Sequence, residues 1–173
     1  KTMDNKDNIE LIVTEDNFDT WTNSLSQENR EDLYNKDVLV LPEINYGKIE
    51  GASYHEDVMD FLDYIDSKEQ KINYGLCSDE EKILSLNDGE IWLGSFLVYA
   101  PMVNPIMIDV FINMLSNYLY DKFTKLGKNP QVKCKIKVIK EKNKTSKTFD
   151  YSGDAETLQK ISSKVIESFK NEK

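Results

Sequence analysis

A chain of 173 residues, 39% hydrophobic and 10% aromatic, holds enough apolar material for one packed domain or two small subdomains sharing a core. Cys77 and Cys134 are too few and too far apart for a disulfide framework or a paired zinc motif, which leaves two reduced thiols as the expectation. The net charge of −9 is uneven: residues 1–100 carry 23 acidic side chains against 8 basic ones, whereas residues 101–173 carry 8 against 14. Two surfaces of opposite sign, with different partners, are therefore predicted.

The Lys1-Thr2 ahead of Met3 is left out of the fold reading. Ile9–Val13 is a short apolar run fit for a strand. Phe18, Trp21, Leu25 and Leu33 then recur loosely enough to predict one helix across Asp16–Tyr34. Val38–Leu41 reads as a buried strand that Pro42 ends. Ser53 followed by Glu56 matches a capping box and predicts a helix to about Asp66. That helix buries Tyr54, Val58, Phe61, Leu62 and Ile65 and turns its acids to solvent. Lys71–Cys77 predicts a strand, and Ser78 with Glu81 predicts a short capped helix after it.

Residues 91–108 carry no charged side chain, an uncharged run of 18 residues at the lower limit for spanning a bilayer. Pro101, Asn104 and Pro105 interrupt it, and Ile91–Ala100 has the apolar, β-branched and aromatic content of a buried central strand. A soluble core is therefore expected there and a membrane span is not. Asn104-Pro105 is a helix start and Gly127 a C-terminal stop, which places a largely buried helix over 104–126. Val132, Cys134, Ile136 and Val138 alternate with Lys133, Lys135 and Lys137, so Val132–Lys140 predicts a half-buried strand with a lysine-lined outer face. Lys147–Tyr151 returns as its hairpin partner. Asp154 caps a last helix that buries Leu158, Ile161, Val165, Ile166 and Phe169.

This order gives β-α-β-α-β with a mainly parallel sheet, then β-α-β-β-α built on the central helix: an α/β or α+β fold. The whole chain, 1–173, reads as one compact domain, with an acidic subdomain at 9–90 and a basic one at 91–171.

No phosphate-binding glycine loop is present, because Gly47 and Gly51 have neither spacing it requires. His55 is the sole histidine, and Met59 stands where a metalloprotease helix needs a second. Glu56, Asp60 and Asp63 share a helical stripe that could offer oxygen ligands to a hard cation, although a solvated helix face explains them as well. Cys77 sits where a strand hands over to a helix, but Asp79, Glu80 and Glu81 crowd that turn and disfavour a thiolate. Asp109 lies in the most apolar helix, as a structural or a functional carboxylate.

The strongest surface signal is the lysine hairpin, with Lys133, Lys135, Lys137, Lys140 and Lys147 as binding candidates. These observations predict a cytoplasmic interaction or regulatory module without a cofactor. Its lysines would bind an acidic protein partner or a second copy of the chain. A metal-dependent hydrolase using the acidic helix, and binding to nucleic acid or an anionic membrane surface, are the alternatives.

Overall fold

The computed structural model describes residues 8–15, 17–69, 72–85, 89–98, 106–140 and 145–170; the expected helix start at Asn104-Pro105 lies outside them. Strand β1 (Asn8–Thr14) opens the described chain, followed by two short helices, α1 (Phe18–Thr22) and α2 (Gln27–Leu33). The single predicted helix is divided because Ser26 caps the second one, its hydroxyl accepting the Asn29 amide at 3.3 Å. Strand β2 (Val38–Leu41) is buried throughout, as its composition requires, and Pro42 leads into β3 (Glu43–Ile44).

The capping-box reading at Ser53 is corrected. Residues 52–55 form strand β4 (Ala52–His55), in which Ser53 pairs with Glu43 of β3. Helix α3 (Glu56–Asp66) begins only after His55, which caps it without a side-chain bond. Pairing on both edges of β4 satisfies more backbone than one further helical turn would, and strand geometry lets Tyr54 reach the core. Strands β5 (Tyr74–Leu76) and β6 (Ile83–Leu84) follow. No helix starts at Ser78. Its hydroxyl meets the Tyr54 hydroxyl at 2.7 Å, and the next residues run on into β6.

The second half keeps its predicted order: β7 (Ile91–Val98), α4 (Met107–Leu126), β8 (Gln131–Lys140), β9 (Thr145–Asp154) and α5 (Ala155–Lys170). Gly127 ends α4 in the left-handed conformation, with φ of 64°, and Asp154 caps α5 by accepting the Thr157 amide at 2.7 Å. No helix among the described residues is long and apolar enough to cross a membrane.

Six strands form one sheet in the order β1-β9-β8-β7-β2-β5, and β3-β4-β6 form a small second one. The fold is mixed α/β, and the expectation of a mainly parallel sheet is corrected. Only β7/β8 and β2/β5 run parallel in the large sheet; β1/β9, β9/β8 and β7/β2 are antiparallel. The reason is connectivity. Helix α4 supplies the crossover that parallel β7 and β8 need, whereas the short β8–β9 connection can only make an antiparallel hairpin. Strands from both halves of the chain join in this one sheet, the block β9-β8-β7 of the second half lying between β1 and the β2-β5 pair of the first.

One sheet face is covered by α3, α4 and α5. Its core joins Phe96 of β7 to Phe61 of α3 (ring centroids 5.6 Å apart) and Phe111 of α4 (5.2 Å), with Leu93, Ile136, Leu119 and Tyr151 packed around them. The other face carries a smaller cluster of Phe18, Leu33, Leu39, Leu41, Leu97 and Ile139 beneath α1 and α2. Those short helices leave part of that face open, and the open part positions the site.

Candidate functional site

Alternation along β8 sends Val132, Cys134, Ile136 and Val138 into the main core and leaves Lys133, Lys135 and Lys137 on the opposite face, as the sequence predicts. A cleft of about 540 Å³ forms above these three lysines. Trp21 of α1 and the Pro42–Ile44 segment wall it, and Trp92 of β7 and Asp150 of β9 complete the floor. Trp92 reaches this face because β7 is bulged. The β7/β8 register shifts between Trp92 and Gly94, and Gly94 takes a left-handed φ of 70°. The bulge returns Phe96 to the main core while Trp92 stays on the cleft side.

Acids sit among these cations. Lys133 Nζ lies 3.6 Å from Glu90 and 4.4 Å above the Trp92 ring, and Lys135 Nζ lies 3.8 Å from Asp150. Lys137 is withdrawn to 9% exposure, its ammonium 5.9 Å from the centroid of the Trp21 ring. Glu43, on the wall, has its carboxyl held below the usual glutamate range by pairing with His55, against the opposing effect of burial and with help from Lys135. His55 Nε2 lies 3.5 Å from Glu43 Oε1, at the outer limit for a hydrogen bond. The histidine is 2% exposed and packs behind the wall against Trp92 (4.8 Å between rings) and Tyr46 (5.5 Å).

Two candidates from the hairpin differ from the expectation. The Lys140 side chain lies outside the described residues. Lys147 is not on the lysine face: it shares the parity of Phe149 and Tyr151, is 6% exposed, and donates its ammonium to the Ser168 carbonyl in the last turn of α5. Its role is to satisfy a carbonyl that the helix end leaves without a backbone partner.

The acidic stripe of α3 is occupied from within the fold. Asp60 Oδ2 accepts from Lys122 Nζ at 2.5 Å and from the Tyr118 hydroxyl at 2.7 Å. Burial would raise the Asp60 carboxyl, but these bonds outweigh it and hold it below the usual range. Glu56 accepts from Ser85 at 2.8 Å, and Asp63 lines a separate surface depression with Asp60 and Lys122. No three His, Cys, Asp or Glu side chains among the described residues are placed to hold a metal ion. Asp109 joins helices, its Oδ2 accepting from Lys170 of α5 at 2.8 Å. The Cys77 thiol is buried and pushed up to about 12 by that burial, and its Sγ faces the Trp21 carbonyl at 3.1 Å, so it is not an activated nucleophile.

Trp21, Trp92, Glu43 and Asp150 were absent from the sequence-based candidates. Neither tryptophan stands in a sequence pattern that points to the lysine strand. No protein-family model matches the chain, and no curated protein or solved structure matches it either.

Proposed function

We propose that this chain is a non-catalytic binding protein whose lysine-floored cleft receives an acidic segment of a protein partner. The observation that carries the reading is the convergence of Lys133, Lys135 and Lys137 on one cleft flanked by both tryptophans. Lysines serving only to blunt a sheet edge would lie on an edge strand. Strand β8 is interior, between β7 and β9. Indole rings beside the ammonium groups add apolar contact area, a combination suited to a protein segment more than to a bare polyanion.

Self-association through the acidic helix is less well supported. Glu56, Asp57 and Asp60 already accept bonds from Ser85, Trp92 and Tyr118 within the same chain. Nucleic acid is disfavoured because Glu43, Glu90 and Asp150 stand among the floor lysines and would oppose a phosphate backbone.

The test is fluorescence anisotropy of labelled hexaglutamate at low ionic strength. Wild-type protein binds it, and K133E/K135E weakens binding by roughly tenfold or more, ~1.4 kcal/mol. K160E/K164E makes the same charge change on exposed positions of α5 and leaves affinity unchanged. Equal weakening by both pairs would mean that net charge, and not the cleft, governs binding.

A further inference from the structure

His55, the one histidine of the chain, stands behind the cleft wall and faces a carboxylate that belongs to it. It closes β4, which is paired on both edges, and is 2% exposed. Both ring nitrogens are covered, and neither meets a hydrogen-bond partner among the described residues. A neutral imidazole holds one donor and one acceptor, so burial here leaves both unmet. Glu43 Oε1 stands 3.5 Å from Nε2, so that a small turn of the glutamate side chain completes a bond. That side chain is 39% exposed and belongs to the two-residue β3, which leaves it room to turn.

The other charged groups around the ring are engaged elsewhere. At the start of α3, Glu56 accepts from Ser85 and Asp57 from the Trp92 backbone amide, each at 2.8 Å. Lys82, just ahead of β6, is held by Glu80 and the Glu50 carbonyl. Tyr46 and Trp92 present rings, 5.5 and 4.8 Å from the imidazole between centroids. Beside Trp92, Lys133 is matched by Glu90 at 3.6 Å, and on the floor Lys135 is matched by Asp150 at 3.8 Å. Glu43 is the other carboxylate that lines the cleft, held by His55 first and, against burial, by Lys135 as well. Counted together, Glu43, Glu90 and Asp150 equal Lys133, Lys135 and Lys137 in number. An acidic segment therefore meets a formally neutral lining unless one of these carboxylates is withdrawn.

Resting on the cleft as the site for an acidic segment, we infer that His55 is a positioning residue that controls the cleft through Glu43, so that the segment binds more tightly as pH falls. Histidine is the side chain whose ordinary titration lies between pH 5 and 8. With His55 neutral, Glu43 remains in the cleft and opposes incoming carboxylates. A proton taken from solvent makes both ring nitrogens donors, and the Glu43 carboxylate turns onto Nε2 in a charge-assisted bond. Lys135 loses that counter-charge and meets the acidic segment instead. Because the segment prefers the protonated form, its binding raises the proton affinity of His55 by the same factor.

The test measures hexaglutamate affinity by anisotropy between pH 8 and pH 6, a range in which glutamate carboxyls stay ionised. Wild-type affinity rises about tenfold on acidification. H55Q, which cannot gain a proton, shows no such rise. E43Q tests the same link on a half-exposed side chain without disturbing the core: it binds at pH 8 as tightly as wild type does at pH 6, with a flat profile. A single histidine gives a single ring titration by NMR, and saturating hexaglutamate moves its midpoint up by about one pH unit, the same tenfold. A pH slope that persists in H55Q, an E43Q profile as steep as wild type, or a His55 midpoint indifferent to hexaglutamate overturns the inference. Binding that is lost in K133E/K135E yet flat from pH 8 to pH 6 in wild type removes control by His55 and keeps the cleft. Binding that ignores K133E/K135E removes the cleft reading itself, and control by His55 with it.

Discussion

Thr148 shows at a single atom what a buried polar group without a partner costs the fold. Its hydroxyl is buried with no partner among the described residues, so the folded state loses the hydration of that group and gains no bond for it. T148V is therefore expected to be neutral or stabilising, by up to about 1 kcal/mol in thermal or urea melts. Destabilisation of more than about 1 kcal/mol would show that the hydroxyl has a structural partner. Glu43 makes the complementary case for a charged group. Pairing with His55 depresses its carboxyl in the fold. A carboxylate with a depressed pKa contributes stability that is in place above the ordinary glutamate value, about 4.3, and that is lost as pH falls through the folded value. The melting temperature of E43Q should therefore lie below wild type at neutral pH, with the two curves converging as pH falls below about 4. Curves that stay parallel down to acid would contradict the pairing.

At the scale of elements, the long periodic segments were legible and the short ones were not. Strand β8 and helices α4 and α5 announce themselves because alternation or helical spacing persists over several turns, and their Gly127 and Asp154 ends obey capping chemistry. Strands β3 and β6 have two residues each, too few for any period. The Ser53–Glu56 spacing is a local signal that a tertiary demand overrode, namely pairing of β4 on both edges. Lys147 carries the charge of the lysine face but the parity of Phe149 and Tyr151, and parity along β9 decides the side on which it lies. The bulge in β7 was hidden for a different reason: Gly94 sits in an almost continuous apolar run, where a change of face leaves no trace. An added Cβ at Gly94 would lie 3.6 Å from Val58 Cγ2, ordinary contact, so its left-handed backbone alone sets the cost. G94A should destabilise by about 1–2 kcal/mol and alter Trp92 emission, which can be isolated in a W21F background. A second element-level contact, Tyr118 on α4 to Asp60 on α3, is expected to cost about 1–2 kcal/mol in Y118F, because a buried hydroxyl bonded to a carboxylate is lost.

The molecule as a whole divides its sheet between two tasks. Three helices cover one face and bury the larger core, while α1 and α2 cover only part of the other. The charge asymmetry visible in composition therefore does not become two blank surfaces of opposite sign. Acids of the first half, Glu43 and Glu90, reach into the lysine field of the second and, with Asp150, offset its formal charge. This arrangement favours a partner that matches a pattern over one that merely carries negative charge, and it predicts binding that salt weakens. Both tryptophans of the chain line that cleft. Intrinsic emission is consequently a reporter of this one site, and the most direct measurement is a hexaglutamate titration followed by emission and anisotropy together. The account predicts one saturable emission change that tracks the anisotropy, shrinks with added salt and is lost in K133E/K135E. Anisotropy that rises while the emission of Trp21 and Trp92 stays constant would place the bound segment elsewhere and contradict it.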